Sequence, residues 1–318
     1  MLKGIARPDW REDRLTSGEP CIILGVNGQP LLALIKTMRP RQWVKNVLIF
    51  TALVFDGQLG DLSAFSRVLA GFVLFCLVSS SVYLLNDIAD LEADRSHPEK
   101  RNRPLASGQL SVSLARVSAV LLLAISLILA YLLAPPFFAL LLLYWLVNLG
   151  YSRWLKHAVI LDVFVLASFY VLRVVAGLTL IVVARFSPWL FVVTTLLALF
   201  IGFGKRRAEL ALLAGNAYNH RRVLEGYTIP LLDQYLTIVS ATTIAAYSLY
   251  TFSAPNLPEN HFMMLTIPFA IYGILRYLYL VQIKQVGGAP EEELLADRPL
   301  QVAFLFWGLS VVVILYLF

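Results

Sequence analysis

The chain has 318 residues, 59% of them hydrophobic and 14% charged, with a mean hydropathy of +0.74. Soluble domains carry about 25% charged residues, so this composition argues against a soluble enzyme and for an all-α integral membrane protein. The net charge of +6 points first to basic cytoplasmic loops and only second to an anionic ligand, and no soluble basic module suited to nucleic acid is present. Two cysteines, Cys21 and Cys76, argue against a structural disulfide, and four scattered histidines (His97, His157, His220, His261) argue against a zinc site.

Residues 1–35 mix charges, Gly and Pro and read as a cytoplasmic N-terminal tail. The apolar run from Cys21 to Leu24 is broken by Gly25 and is too short for a signal peptide. Residues 36–318 read as one membrane domain. It opens with Met38-Arg39-Pro40-Arg41-Gln42-Trp43-Val44-Lys45-Asn46. Two readings fit this stretch. Its charges are topological anchors with an interfacial Trp43, or Arg39, Arg41 and Lys45 reach phosphates from the mouth of the bundle. About nine spans follow, at about 43–56, 66–86, 112–133, 136–151, 158–183, 187–204, 230–253, 262–282 and 300–318, by the length a bilayer helix needs. With the N-terminus in the cytoplasm, the basic residues gather in the cytoplasmic links 87–111, 152–157, 205–229 and 283–299. The opposite side offers little beyond Arg67 and Arg185, and the C-terminus falls there. This asymmetry predicts the orientation.

The most informative stretch is Asn86-Asp87-Ile88-Ala89-Asp90-Leu91-Glu92-Ala93-Asp94-Arg95, at the end of the second span. Read as helix, Asp87, Asp90 and Asp94 fall at i, i+3 and i+7 and share one face. Three converging carboxylates repel one another at a membrane end. A hard cation compensates them, and Mg²⁺ prefers oxygen ligands completed by substrate phosphates. Lys100, Arg101 and Arg103 follow, placed for phosphate oxygens. The plainer alternative is a solvated, charged helix end.

Two further cytoplasmic constellations stand out. In Gly204-Lys205-Arg206-Arg207-Ala208-Glu209-Leu210, Lys205 and Glu209 share a helical face, and Arg221, Arg222 and Tyr227 come before the next span. Topological charge accounts for the basic residues there but not for Glu209. Tyr151-Ser152-Arg153-Trp154-Leu155-Lys156 joins the fourth and fifth spans, with Tyr151 and Lys156 as candidate ligands beside the plainer reading as interface anchors. Asp162 and Arg173 lie eleven residues apart on nearly one face of the fifth span. Arg173 is expected to point into the bundle toward a structural charge partner, and Asp162 to join the polar cavity. Glu291, Glu292 and Glu293 read as a solvated loop or helix start.

The motif Asn86-Asp-x-x-Asp-x-x-x-Asp94 resembles the first aspartate-rich motif of the UbiA prenyltransferase superfamily. The resemblance implies a bundle of about nine helices with Mg²⁺-diphosphate bound in a cytoplasm-facing polar cavity. Arg39-Pro-Arg-Gln-Trp-Val-Lys-Asn46, Asp94-Arg-x-His-Pro-x-Lys-Arg-x-Arg-Pro104 and Gly204-Lys-Arg-x-x-Glu-Leu210 resemble the decaprenyl-phosphate phosphoribosyltransferases within it. The likeness runs from about residue 36 to the C-terminus. A second acidic motif, usual after the sixth span in aromatic prenyltransferases, is replaced here by Lys205-Arg206-Arg207-Ala208-Glu209. That suits a donor with more phosphate to neutralise.

The resemblance implies transfer of 5-phosphoribose from phosphoribosyl pyrophosphate to a polyprenyl phosphate in the inner membrane, as a step toward cell-envelope glycan. It implies Mg²⁺ on Asp87, Asp90 and Asp94, with Asn86 orienting a carboxylate, a metal-bound water or a sugar hydroxyl. The substrate-binding set is then Arg41, Lys45, Lys100, Arg101, Arg103, Tyr151, Lys156, Lys205, Arg206, Glu209 and Arg222. The alternatives are a prenyltransferase using a prenyl diphosphate and an aromatic or lipid acceptor, and a non-catalytic lipid-binding or transport bundle. A homo-oligomer is compatible with this reading.

Overall fold

The computed structural model describes residues 29–97, 100–183, 187–213, 222–255, 257–286, 288, 293 and 296–318. Helix α1 (Gln29–Met38) leads through Arg39 into a 3₁₀ helix over Pro40–Phe50, which continues into α2 (Thr51–Phe55). Then come α3 (Leu62–Ala89) and the short α4 (Leu91–Ser96), followed by α5 (Val112–Leu133), α6 (Pro135–Arg153) and α7 (Leu161–Leu178). The chain closes with α8 (Pro188–Leu213), α9 (Ile229–Ser253), α10 (Ile267–Gln282) and α11 (Arg298–Leu317). No strand occurs among the described residues. Helix α1 straddles the boundary expected at residue 35 and packs Ala33 against Leu84 of α3.

The helix starts are written locally. Ser111, Thr228 and Asp297 cap α5, α9 and α11 by accepting from the backbone N–H of Leu114, Leu231 and Leu300. Asp61 does the same for α3, accepting from Ser63 and Ala64. Proline occupies the first turn of α6, α9, α10 and α11, where its missing N–H has no helical partner to lose.

Eight helices, α3 and α5 to α11, are long and apolar enough to cross a bilayer, α10 counted with the 3₁₀ turn Phe262–Thr266 before it. They coincide with the last eight expected spans. The first expected span takes another form, the 3₁₀ helix and α2. Pro40 opens it, and Arg41, Gln42, Lys45 and Asn46 interrupt its apolar character. At about 2.0 Å of rise per 3₁₀ residue and 1.5 Å per α residue, it still extends about 30 Å, the thickness of a hydrocarbon core. It runs the length of the bundle. Arg39 meets Asp87 near the C-terminal end of α3, while Leu53 and Val54 accept from Tyr316 Oη near the end of α11.

Successive long helices alternate in direction, which defines two ends. One end gathers Arg67 on the carbonyls of Leu133 and Leu180, and Gln58 on that of Val182. The other gathers the C-termini of α3, α6, α8 and α10 and the N-termini of α5, α7, α9 and α11. Four apolar cores fill the bundle among the described residues, two of them large. One surrounds Phe75, Phe137, Tyr144 and Phe169, the other Phe200, Phe203, Leu232 and Tyr277.

Arg173 lies in the first core, 4% exposed. It donates to Asn46 Oδ1 (2.7 Å), the Phe169 carbonyl (2.6 Å) and Tyr144 Oη (3.2 Å), and lies over the Phe75, Tyr144 and Tyr170 rings. The expected carboxylate partner is absent among the described residues. Neutral acceptors and ring faces satisfy the guanidinium instead. Asp162, on the same helix, pairs elsewhere. Arg173 thereby ties the 3₁₀ segment to α3, α6 and α7. Gly177 allows that approach, because a Cβ there would lie 2.0 Å from the Ile49 carbonyl oxygen.

Candidate active site

The acidic stretch sits where α3 ends. Asp90 breaks the helix (φ −92°, ψ 7°), and α4 resumes at Leu91. Asp87 and Asp94 point inward, each 3% exposed, whereas Asp90 is exposed. Arg39 Nη2 donates to Asp87 Oδ1 at 2.6 Å. Arg103 Nη1 donates to Asp94 Oδ2 at 2.6 Å and reaches Asp87 Oδ1 at 3.4 Å. Thus the single face expected for three acids becomes two buried acids bridged by one guanidinium. Among the described residues, no three His, Cys, Asp or Glu stand close enough to hold a metal ion.

Arg39 has the left-handed backbone conformation (φ 55°, ψ 61°) rare for a residue with a side chain, and its guanidinium lies 5.0 Å over the Tyr83 ring. Pro40 disfavours a right-handed helical Arg39, so the turn aims the side chain at Asp87. Trp43, an interfacial anchor in one of the two readings of this stretch, donates to Ser80 Oγ (3.1 Å) on α3. Arg41 is exposed, and half-buried Lys45 donates to Gln42 Oε1 (2.7 Å). Lys100 and Arg101 are exposed on the turn that brings half-buried Arg103 inward.

A second network stands beside the first. Arg206, fully buried on α8, donates from Nε to Asp162 Oδ2 (2.5 Å), from Nη1 to Glu209 Oε2 (2.6 Å) and from Nη2 to Tyr151 Oη (3.1 Å). Asp162 is also fully buried and accepts from Tyr227 Oη at 2.8 Å. Tyr227 Oη in turn accepts from the Ile160 N–H at 2.6 Å. Burial, then the bond to Asp162, raises the Tyr227 pKa, so its hydroxyl stays a proton donor. Ile160 has φ 69°, an outlier for a β-branched residue that costs about 1–3 kcal/mol.

Asn86 ties α3 to α6: its Oδ1 accepts from Ser152 Oγ at 2.9 Å. Asn86 is next in sequence to Asp87 of the first network, and Ser152 to Tyr151 of the second. Lys156 and Lys205 are half-buried near this region. Arg207 turns away to Asp233 Oδ1 (2.8 Å) and the Val281 carbonyl (2.8 Å), tying α8 to α9 and α10. The Arg222 side chain, Arg221, Glu291 and Glu292 lie outside the described residues, as do Cys21 and Arg185.

Sequence reasoning missed Ser152 and the pairing of Asp162 with Arg206. Their partners lie on other helices, 66 and 44 residues away. An acid in the first turn of an otherwise apolar span, as Asp162 is in α7, was the usable signal.

The carboxylates of Asp87 and Asp94 offer oxygen donors around one shared guanidinium nitrogen, with Asp90 in the same segment. This is donor chemistry that fits a hard divalent cation such as Mg²⁺.

These observations define a polytopic helical membrane protein with a charged site at one end of its bundle. The chain belongs to the UbiA prenyltransferase family, which residues 47–291 match. It is 36% identical over 300 residues to the decaprenyl-phosphate phosphoribosyltransferase of Mycobacterium tuberculosis, covering 93% of this chain and 96% of that one. Its likeness to the Mycolicibacterium smegmatis protein of the same name is 35% over 289 residues, or 86% and 89% of the two chains. The fold is similar to that of a UbiA homolog from Archaeoglobus fulgidus bound to DMAPP and Mg²⁺. The TM-score is 0.66 and the identity 18%, over 90% of this chain and all of that one.

Proposed function

We propose that this protein transfers 5-phosphoribose from phosphoribosyl pyrophosphate to a polyprenyl phosphate, decaprenyl phosphate in the named relatives, releasing pyrophosphate. The observation that carries the reading is the likeness, over nine-tenths of the chain, to relatives named for that transfer. The networks at the polar end support it. One offers carboxylates and guanidiniums, and the other presents Glu209 and Tyr151 around Arg206.

Breaking the anomeric C–O bond puts positive charge on the sugar, as in other glycosyl transfers, and negative charge on the departing pyrophosphate. Asp87 and Asp94, joined by Asp90 once its side chain turns inward, would hold Mg²⁺, which when bound supplies Lewis-acid stabilisation of that leaving group. Arg39, Arg103, Lys45, Lys100 and Arg101 supply cations for phosphate oxygens. Asn86 orients its carboxylate neighbour or a sugar hydroxyl, and Glu209 faces the ribose hydroxyls. Tyr151, Lys156, Lys205 and Arg41 complete the polar rim, and Arg206 holds Glu209 and Tyr151 in place. The attacking oxygen belongs to a phosphate monoester with a second pKa near 6, so no strong general base is required. The basic links at this end support a cavity open to the cytoplasm, where phosphorylated metabolites and Mg²⁺ are found. The prenyl chain leaves between helices into lipid.

The test is pyrophosphate release by purified protein with Mg²⁺, decaprenyl phosphate and phosphoribosyl pyrophosphate. Wild type is expected to turn over and Asp87→Asn to lose at least a hundredfold, with unchanged yield and monodispersity. Turnover of dimethylallyl diphosphate with an aromatic acceptor in place of phosphoribosyl pyrophosphate replaces this reading by the prenyltransferase one. Turnover of neither donor leaves the lipid-binding or transport bundle.

A further inference from the structure

We infer that Tyr227 and Asp162 are positioning residues, which set the sugar-binding carboxylate Glu209 through Arg206. The inference rests on the reading of Glu209 as a ribose ligand. Neither Tyr227 nor Asp162 need touch the donor. Asp162 is fully buried, and its two carboxylate oxygens are engaged, Oδ1 by Tyr227 and Oδ2 by Arg206. Arg206 is equally buried, and its guanidinium bonds three partners at once, Asp162, Glu209 and Tyr151. Of the members of this chain, Glu209 is the carboxylate that retains exposure, at 25% of its side chain. The network therefore has a buried base and an accessible end.

The base is held under constraint. Tyr227 Oη accepts the N–H of Ile160, whose positive φ sets the first turn of α7 and so the direction of Asp162. Gly226, just before Tyr227, lets this segment close on the link that leads into α7, since a Cβ there would stand 2.4 Å from Val159 Cγ2. One hydroxyl thus fixes both the backbone that presents Asp162 and the carboxylate itself. An unpaired Glu209 would swing among rotamers and bind the ribose hydroxyls in a fraction of its conformers. The hub removes that freedom before the donor arrives, which is preorganisation of a polar contact.

The hypothesis predicts a specific kinetic pattern, measured with phosphoribosyl pyrophosphate and decaprenyl phosphate. Tyr227→Phe is expected to raise the KM for the phosphoribosyl donor about tenfold and leave the KM for the lipid unchanged. Glu209→Gln is expected to do the same or more. In Tyr227→Phe/Glu209→Gln the loss in kcat/KM for the donor should be no greater than for Glu209→Gln alone, because both changes break one linkage. Asp162→Asn supplies a second, independent entry, with the same non-additivity toward Glu209→Gln. Losses that multiply in both double variants overturn the inference. So does wild-type donor KM in Tyr227→Phe and Asp162→Asn, or an equal rise in the KM of both substrates. Absence of any phosphoribosyl transfer by the wild type is a different result, and strikes the functional reading on which the inference rests.

Discussion

Two acids facing one guanidinium is the feature that decides behaviour at the scale of single residues. Asp87 and Asp94 are almost fully buried, and a buried carboxylate without a counter-charge is costly. Arg103 and Arg39 are the counter-charges, and Arg103 alone serves both acids. A hydrogen bond to a charged group contributes about 1.5–3 kcal/mol. The Arg103 side chain is 30% exposed, so solvent screening places its share at the low end. Arg103→Ala is therefore expected to lower the thermal midpoint of the detergent-solubilised protein by a few degrees in chelator. Mg²⁺ should recover more of that loss than it adds to wild type, since another cation then meets the same two acids. The measurement is a thermal-shift titration with and without Mg²⁺, and an unchanged midpoint in chelator would show that Arg103 is not their counter-ion. The three-residue and seven-residue spacings announced these acids from the sequence. They did not show that Asp90 breaks the helix and turns outward, because an isolated helical repeat carries no information about where the helix stops.

Among the elements, the 3₁₀ segment has the least ordinary construction. Runs of 3₁₀ longer than three or four residues are uncommon, and this one extends over eleven. Its packing compensates. Asn46 is buried between Ser79, Cys76 and Arg173, and Ile49 lies against Gly177. Apolar length alone suggested a further long span there, but the polar residues that interrupt it are the ones that bind neighbouring helices. Gly177→Ala tests this contact. The added Cβ meets a backbone oxygen, which cannot rotate aside as a side chain would. Overpacking of this kind costs about 1–3 kcal/mol. Because Arg39 leads into this segment and Lys45 lies within it, turnover should fall together with the thermal midpoint. Gly273→Ala on α10 is the control, since a Cβ there meets nothing within 4 Å. Its midpoint is expected to match or slightly exceed that of wild type. If both variants behave alike, close packing of the 3₁₀ segment on α7 is not what holds it.

For the molecule as a whole, the sequence disclosed the direction of each long helix and the end at which charge collects, because both are written in single stretches. Spacing within one span did not reveal partners across spans. Asp162 and Arg173 share a helical face, yet Asp162 pairs with Arg206 and Arg173 with Asn46. A repeat fixes the face of a residue's own helix and leaves the identity of the opposing helix to tertiary packing. The charge asymmetry makes the remaining prediction. Arg103, Lys156, Lys205 and Arg206 collect at the end formed by the C-termini of α3, α6 and α8, while Arg67 lies at the other end on the carbonyls of Leu133 and Leu180. Basic links are retained in the cytoplasm, so the site end should face inward and the link between α9 and α10 outward. Single cysteines report this directly. Asn102 and Glu259 are both exposed, at opposite ends, and native Cys76 is buried. With Cys21→Ser as background, Glu259→Cys is expected to react with a membrane-impermeant maleimide in intact cells. Asn102→Cys should react only after permeabilisation. Labelling of Asn102→Cys from outside would place Asp87 and Asp94 away from the cytoplasmic pools of phosphorylated donor and Mg²⁺, and the cytoplasmic site would have to be abandoned.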